Sequence, residues 1–479
     1  MNFSGGVRSG HPGVRSGHPG VRSGHPGVRS QHPAVRSQDP AVRSQESGLR
    51  IIRFTWASLG RILAVVLGLV IFAGCGGGSS TPTPTPMPAP VTNTVSVAVN
   101  SGPANNAINF AYVSVTVCNP GSTTSCATIS DVQVDTGSSG LRILASAPGV
   151  SNLDLTPVAP SGTPVDECYQ FGDGTYIWGP VMQADVQMAG EKAAGLPIQI
   201  INSPGSGVAV PNGCSQGSQT NRGTVEGLQA NGILGIGTRQ QDCGIACTGT
   251  TVQPYYWLCP STGCTSAASL STAIQVSNPV IFFSADNNGV AINLPSIGSS
   301  GAASVTGGTL TFGIGTQTDN ALGSANVYPL GIWPTGSYNG AYTIQSTYNS
   351  VSYPAFIDSA APITLFLDPT TIGVPACSGN HVTLYCPSST ASFTVSNMGF
   401  GGTAANASIS IGNAQTLLSN PSLTAFSGLT GISGTGASND AVELGLPFFY
   451  GKTVYVGIAG KAAPSGVPTS AEGTGYYAF

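Results

Sequence analysis

Charge is scarce in this sequence: Asp, Glu, Lys and Arg make up only 7% of its 479 residues. Basic residues are rarer still beyond the first stretch, because nine of the 15 Lys and Arg lie at or before Arg61. After Cys75 only Arg142, Lys192, Arg222, Arg239, Lys452 and Lys461 remain, against 17 acidic residues, a net of −11. Nucleic-acid binding needs a basic patch, and scattered cations on an acidic body exclude it as a partner. Histidine is scarce too: His381 is the only one after Cys75. Zinc sites need clusters of four ligands, so no metal and no cofactor is expected. The apolar run at residues 62–72 is too short for a membrane-spanning helix, which takes about 20 residues. Helical patterning is confined to a short stretch at 417–426.

Turn formers and β-branched residues fill the space that charge leaves. There are 66 Gly and 35 Pro, and Ser, Thr, Asn and Val crowd the remainder. Low charge here does not mean disorder, since apolar alternation persists almost to the end. It runs through NTVSVAV, FAYVSVTVC and SDVQVD, then PVIFFSA, GVAINL, GTLTFGIG, AYTIQS, ASFTVS, NASISIG and KTVYVGI. The expected fold class is all-β, in two parts: a first lobe at 93–275 and a second at 276–479.

The first 92 residues read differently. Residues 1–49 repeat VRSGHPG, and Pro and Gly in the early units forbid a coiled coil, leaving a disordered basic tail. Residues 50–74 carry Arg50, Arg53 and Arg61 ahead of the apolar run and end in Phe-Ala-Gly before Cys75. That ending resembles the bacterial lipobox, which implies a lipoprotein signal peptide with Cys75 as the lipidated residue. Residues 75–92 are a Gly/Ser and Thr/Pro tether of the kind that holds an anchored domain off a membrane. The expected location is the bacterial cell envelope, exported and lipid-anchored on the periplasmic or surface side, the outer membrane favoured because Gly76, not Asp, follows the Cys. Cysteine number agrees with export. Eleven Cys less Cys75 leaves an even ten, with candidate pairs Cys118–Cys126, Cys243–Cys247, Cys259–Cys264 and Cys377–Cys386 close in sequence, and Cys168–Cys214 as the remainder.

Two stretches carry candidate chemistry. SDVQVDTGSSGLRI delivers Asp135 from an apolar strand into a Gly turn with hydroxyl residues behind it. AFIDSAAP places Asp358 and Ser359 in the same way. A lone D-T-G is an ordinary surface turn. Two such strand ends in one chain offer one carboxylate from each half. Peptide hydrolysis without a metal needs a base for water and an acid for the leaving side. Two carboxylates about 3 Å apart share a proton and supply both.

Four features in order resemble the pepsin-like aspartic peptidases: VDTGSSGLRI, the hairpin at YQFGDGTYIWGPVMQADVQMAG, NGILGIG at 231–237, and the loop at 356–367, with ELGLPFFYGKTVYVGI as a closing segment. The VSVTVC…VDTGSSGLRI run also resembles DUF3443, an exported bacterial family without an assigned activity. The resemblance implies a two-lobed pepsin-like fold with its cleft between lobes, and Asp135 and Asp358 as the dyad. It implies that Thr136 and Ser359 brace the dyad, with Gly137 in the turn, and that Ser138 orients Asp135. It makes Phe171, Gly172, Asp173, Gly174 and Thr175 the flap over the substrate. Departures fall mainly in the second loop, where Ala360 stands for Gly and Ala361 for a hydroxyl residue, followed by Pro362. In the flap, Phe171 replaces a Tyr, and Arg142 replaces its Trp partner.

The function expected is a membrane-anchored, monomeric aspartic endopeptidase taking peptide or protein substrates. The alternatives are a catalytically inactive pepsin-fold lipoprotein that binds peptide or protein, and a structural β-rich surface lipoprotein. Tyr255, Tyr256 and Trp257 read as loop packing, Asp173, Asp368 and Asp440 as turn or cap acids, and His381 as a surface loop residue.

Overall fold

The structure is a computed structural model that describes residues 93–479, apart from 203–207, 217–218, 250–254, 268, 339–340, 403, 435–440 and 468–473. The expectations for residues 1–92 and for Asp440 lie outside the described residues.

Alternation sets the strands. Ala111–Cys118 reads AYVSVTVC and buries every side chain except Ser114 and Thr116. Cys126–Asp135 runs antiparallel beside it and buries its last four residues, ending at Asp135. Burial on both faces near that end makes this a core strand. The chain is mainly β, as expected, with one sheet of 16 strands and another of 8 among the described residues.

Two expected elements differ. PVIFFSA is not a strand: Pro279–Phe282 is a single 3-10 turn. The Asn278 side chain accepts the Val280 N–H at 3.1 Å, and Pro279 fixes the first φ, so the chain turns before it can extend. The only helix near 417–426 is Ala414–Leu417, started by Asn413 accepting the Thr416 N–H at 3.1 Å. Pro421 disfavours the α conformation at Asn420, which stops any continuation.

The same four-strand pattern occurs twice and carries the two aspartates. In the first half, Cys126–Asp135 pairs parallel with Gly232–Ile236, which pairs antiparallel with Ser139–Leu144, which pairs parallel with Glu191–Ile201. In the second, Val351–Ile357 pairs parallel with Val442–Leu444, which pairs antiparallel with Thr364–Phe366, which pairs parallel with Thr430–Ile432. Each aspartate therefore leaves one strand of the motif and its loop returns on the far side of the threaded strand. The threading needs glycine on both sides. A Cβ on Gly235 would lie 2.8 Å from the Gly140 backbone, and one on Gly445 would lie 2.1 Å from the Ile363 carbonyl oxygen. These are corresponding positions, so backbone-on-backbone approach is the shared requirement.

The halves share a sheet. Thr94–Val99 pairs antiparallel with Val305–Phe312, with Val95 opposite Leu310. Gly289–Leu294, Lys452–Gly457 and Tyr476–Ala478 continue it. Thr94–Val99 is thus the strand through which the second half's strands join the sheet of the first. One apolar cluster spans both, from Val97 and Val134 to Ile357 and Val454.

Five disulfides join the ten cysteines: Cys118–Cys126, Cys168–Cys214, Cys243–Cys247, Cys259–Cys264 and Cys377–Cys386. Four close loops of nine residues or fewer, whereas Cys168–Cys214 spans 46. Loop-closure entropy predicts the largest effect for the longest loop. Replacing both Cys168 and Cys214 by Ala is expected to cost about 3 kcal/mol, and replacing Cys118 and Cys126 less. Urea unfolding of the two variants checks the order, and an equal or reversed loss would refute it.

Candidate active site

Each candidate carboxyl is presented by its own loop, and the two loops are locked together by reciprocal hydrogen bonds. The Thr136 hydroxyl donates to the Ile357 carbonyl at 3.1 Å and accepts the Ser359 N–H at 2.9 Å. The Ser359 hydroxyl donates to the Val134 carbonyl at 2.7 Å and accepts the Thr136 N–H at 3.1 Å. Both side chains are buried. Each hydroxyl both donates and accepts across the approximate two-fold relation, so each loop's geometry is tied to the other's. Gln133 adds a donor to the Ala360 carbonyl at 3.2 Å. Asn109 adds one to the Pro362 carbonyl at 2.8 Å. Asn109 is itself fixed by the Phe426 N–H and the Tyr450 hydroxyl, both donating to its Oδ1.

The two carboxyls are not equivalent. Asp135 is 5% exposed, and its Oδ1 accepts the N–H groups of Gly137 and Ser138 at 2.8 and 3.0 Å, while its Oδ2 accepts the Ser138 hydroxyl. Asp358 accepts the Ala360 N–H at 2.8 Å, and Ala361 leaves it without a matching hydroxyl. Gly137 lies between them: a Cβ there would stand 2.5 Å from Asp358 Oδ2. Burial pushes both pKa values up. For Asp135 the Ser138 hydroxyl, the Gly137 and Ser138 N–H groups and the Arg142 charge oppose it. For Asp358 the charges of Asp135 and Glu443 add to burial, and its value is held well above the usual carboxylate range. The pair therefore keeps a proton where separate carboxyls would lose it.

A cavity of about 410 Å³ opens at the two loops that carry this pair. Asp358, Thr136, Gly137 and Ser138 line it, and Asp135 lies behind its own loop. The far walls hold Tyr169, Tyr255, Tyr338, Glu443 and Tyr477. Tyr477 feels the charge of both aspartates, and burial above all pushes its phenol up.

Behind the first loop stands a buried ionic cluster. The Arg142 guanidinium donates to Glu167 at 2.6 Å, to Asp242 at 3.2 Å and to the Ser139 carbonyl at 3.0 Å. It also lies over the Tyr169 ring, 4.0 Å from its centre. The Tyr256 hydroxyl donates to Asp242 at 2.6 Å. One cation faces two carboxylates, all with side chains fully buried. Burial above all, with Asp242's charge and against the opposing charge of Arg142, holds Glu167 well above its usual value.

A family model described as "Protein of unknown function (DUF3443)" matches residues 89–479. The chain belongs to the DUF3443 family. No curated protein matches this DUF3443 chain. Among 328 matching solved chains is the aspartic proteinase from Irpex lacteus, at 15% identity and a TM-score of 0.44, covering 80% of this chain and 96% of that one.

The DUF3443 chain brings Asp135, Thr136, Gly137, Ser138, Asp358 and Ser359 together in one site. Phe171, Gly172, Asp173, Gly174 and Thr175 form the tip of the hairpin between Val165–Gln170 and Tyr176–Met188, and none of the five lines the cavity. Phe171 packs against the Tyr169 ring and under Arg222. Asp173 is a turn acid, accepting the Thr175 N–H at 2.9 Å. Asp368 caps Pro369–Ile372. The hairpin's cleft residue is Tyr169, two positions earlier on the same strand face. Tyr255 also lines the cavity and is not mere loop packing, whereas Tyr256 and Trp257 are buried. Glu443 and Tyr477 carried no signal in sequence, because the contacts that bring them here are non-local.

The raised carboxyls give a stability prediction. Burial holds Asp166 at about 6 and, with Asp135's charge, Glu443 at about 7, with Asp135, Asp358 and Glu167 raised as well. A carboxyl kept protonated in the fold but ionised when unfolded stabilises at low pH, and that contribution is lost as pH rises through its folded value. The unfolding temperature is expected to fall as pH rises from 4.5 to about 7. Asp185 and Asp368, whose values are lowered, act in the opposite sense only as pH falls below 3.8. Calorimetry across this range checks the sign, and a rise instead of a fall would overturn it.

Proposed function

We propose that this chain is an aspartic endopeptidase, hydrolysing peptide bonds with Asp135 and Asp358 as its dyad. The observation that carries the reading is the reciprocal brace of Thr136 and Ser359, which fixes two carboxyl-bearing loops against one another at the floor of a cavity. The pepsin-like, two-lobed all-β fold supplies the frame. Three donors favour the ionised form of Asp135, so it is the base that takes a proton from water as the water oxygen bonds the peptide carbonyl carbon. Asp358, with fewer donors and two carboxyl neighbours, holds the proton and delivers it to the carbonyl oxygen. Collapse of the tetrahedral intermediate breaks the C–N bond: the leaving nitrogen takes the proton from Asp135, and a hydroxyl of the intermediate returns a proton to Asp358 as the new carbonyl forms. The Cys75 anchor and an exported, outer-membrane location belong to the same reading. They rest on residues 50–76, and five disulfides are compatible with an oxidising compartment.

Hydrolysis of a mixed peptide library from acidic to neutral pH tests the proposal. Cleavage that pepstatin blocks supports it. Absence of cleavage at every pH by folded protein sinks it. In that event a peptide-binding role is the second reading, favoured by one observation: Ala361 leaves Asp358 without the hydroxyl that Ser138 gives Asp135.

A further inference from the structure

The wall of the cavity holds a carboxyl that the dyad does not need. Glu443 lies on Val442–Leu444, in register with Phe356 on one side and Leu365 on the other. Val442 and Leu444 are fully buried in the core, so strand alternation turns Glu443 the other way, into the cleft. No hydrogen bond or ion pair reaches its side chain among the described residues. The fold does not require an acid there: the corresponding residue of the first half, opposite Gln133 as Glu443 is opposite Phe356, is Ile233. The half-buried Glu443 carboxyl therefore faces the cleft free to accept from a donor that a ligand brings.

The charged groups around the cavity say what that donor is. Asp358 and Asp242 line it with Glu443, Asp135 lies behind its loop, and Arg239 is the one cation on the lining among the described residues. Arg142 is occupied by Glu167 and Asp242. The remaining titratable groups on the walls are phenols: Tyr169, Tyr255, Tyr338, Tyr342 and Tyr477. Beside Glu443 the walls are apolar and aromatic, with Phe356, Leu365 and Ala441 on the lining and the Tyr338 ring 5.5 Å from that of Phe356. A long aliphatic stem ending in a cation fits this arrangement, its methylenes on Phe356 and Leu365 and its head on the carboxylate.

We propose that Glu443 selects a lysine or arginine side chain on a residue next to the scissile bond, making the cleft specific for basic peptides. This rests on the reading of the cleft as a peptide site. Burial and Asp135's charge keep Glu443 neutral at acid pH, with a value of about 7, so the preference grows as pH rises toward and past neutrality.

The test measures binding separately from turnover. Dissociation constants of peptide pairs differing only in lysine against norleucine are read by calorimetry on the Asp135→Asn protein, alone and combined with Glu443→Gln or Glu443→Ile. The lysine peptide is expected to bind about tenfold tighter or more, the range of a charge-assisted hydrogen bond, and this ratio is expected to fall to near one in both double variants. A ratio near one before Glu443 is changed, or a ratio that survives both changes, overturns the proposal. Hydrolysis of the same peptides by the wild-type protein separates the two readings. Discrimination in binding without any hydrolysis removes the peptidase and leaves the cation site. Hydrolysis without discrimination leaves the peptidase and removes the cation site. No binding of any peptide removes both.

Discussion

Asp135→Asn is expected to lower peptide hydrolysis by roughly 10⁴-fold while leaving the fold intact, because it deletes the base and keeps the side chain's shape. The amide still offers an oxygen to the Gly137 and Ser138 N–H groups, and the Thr136–Ser359 brace does not involve the carboxyl at all. Loss of activity with an unchanged unfolding temperature is the signature of a chemical role. Asp358→Asn is expected to give a loss of the same order, since the two share one proton and act as a unit. The pH profile of the wild type is expected to be bell-shaped, its alkaline limb reporting loss of that shared proton. Full activity in Asp135→Asn would refute the dyad.

The second large effect is on stability. Arg142→Met is expected to cost about 3–5 kcal/mol, because it strands Glu167 and Asp242 in the core without a cation. Its chain length preserves much of the packing, so the loss measures the charge. The double change Arg142→Met with Glu167→Leu is expected to recover part of it, since one of the two stranded acids then leaves with the cation while Asp242 remains. Urea unfolding of the wild type, both single variants and the double variant gives the cycle, and a loss in Arg142→Met below about 1 kcal/mol would show the cluster to be incidental. Arg142 also stacks on Tyr169, so the variant is expected to raise KM through a loosened flap strand. The second half builds the corresponding position with Leu365, and no such cluster stands behind Asp358.

The sequence disclosed the strands and the loops far better than the walls of the site. VDTGSSG and IDSAAP were legible because each is local: an apolar run, an acid, a hydroxyl and a tight turn within a few residues. That Thr136 and Ser359 brace the dyad is what the pepsin-like resemblance implies, and in the structure each hydroxyl accepts the other residue's N–H. PVIFFSA misled because a short apolar run has no period, and the Asn278–Pro279 start signal outweighed it. The pattern locates the hairpin but not its cleft residue, which is Tyr169 and not Phe171, since two positions on one strand face differ only in how far the hairpin reaches. Glu443 was read past as part of a closing segment. Its neighbours Phe356 and Leu365 lie some 80 residues upstream, and nothing local marks it.

The shared sheet has a kinetic consequence. Val95 waits for Leu310, and the Ser359 hydroxyl reaches back 225 residues to Val134. Such contacts are reached late, because long loops must close before they are rewarded. Until residues 305–312 arrive, Thr94–Val99 and its neighbours present open strand edges, the surface on which chains stick to one another. A chain made from its amino end exposes those edges for the time that the second half takes to follow. Slow refolding and loss to aggregates at high concentration are the behaviours that this order of assembly imposes, and the site itself comes into being at the last step, when both loops close on one another.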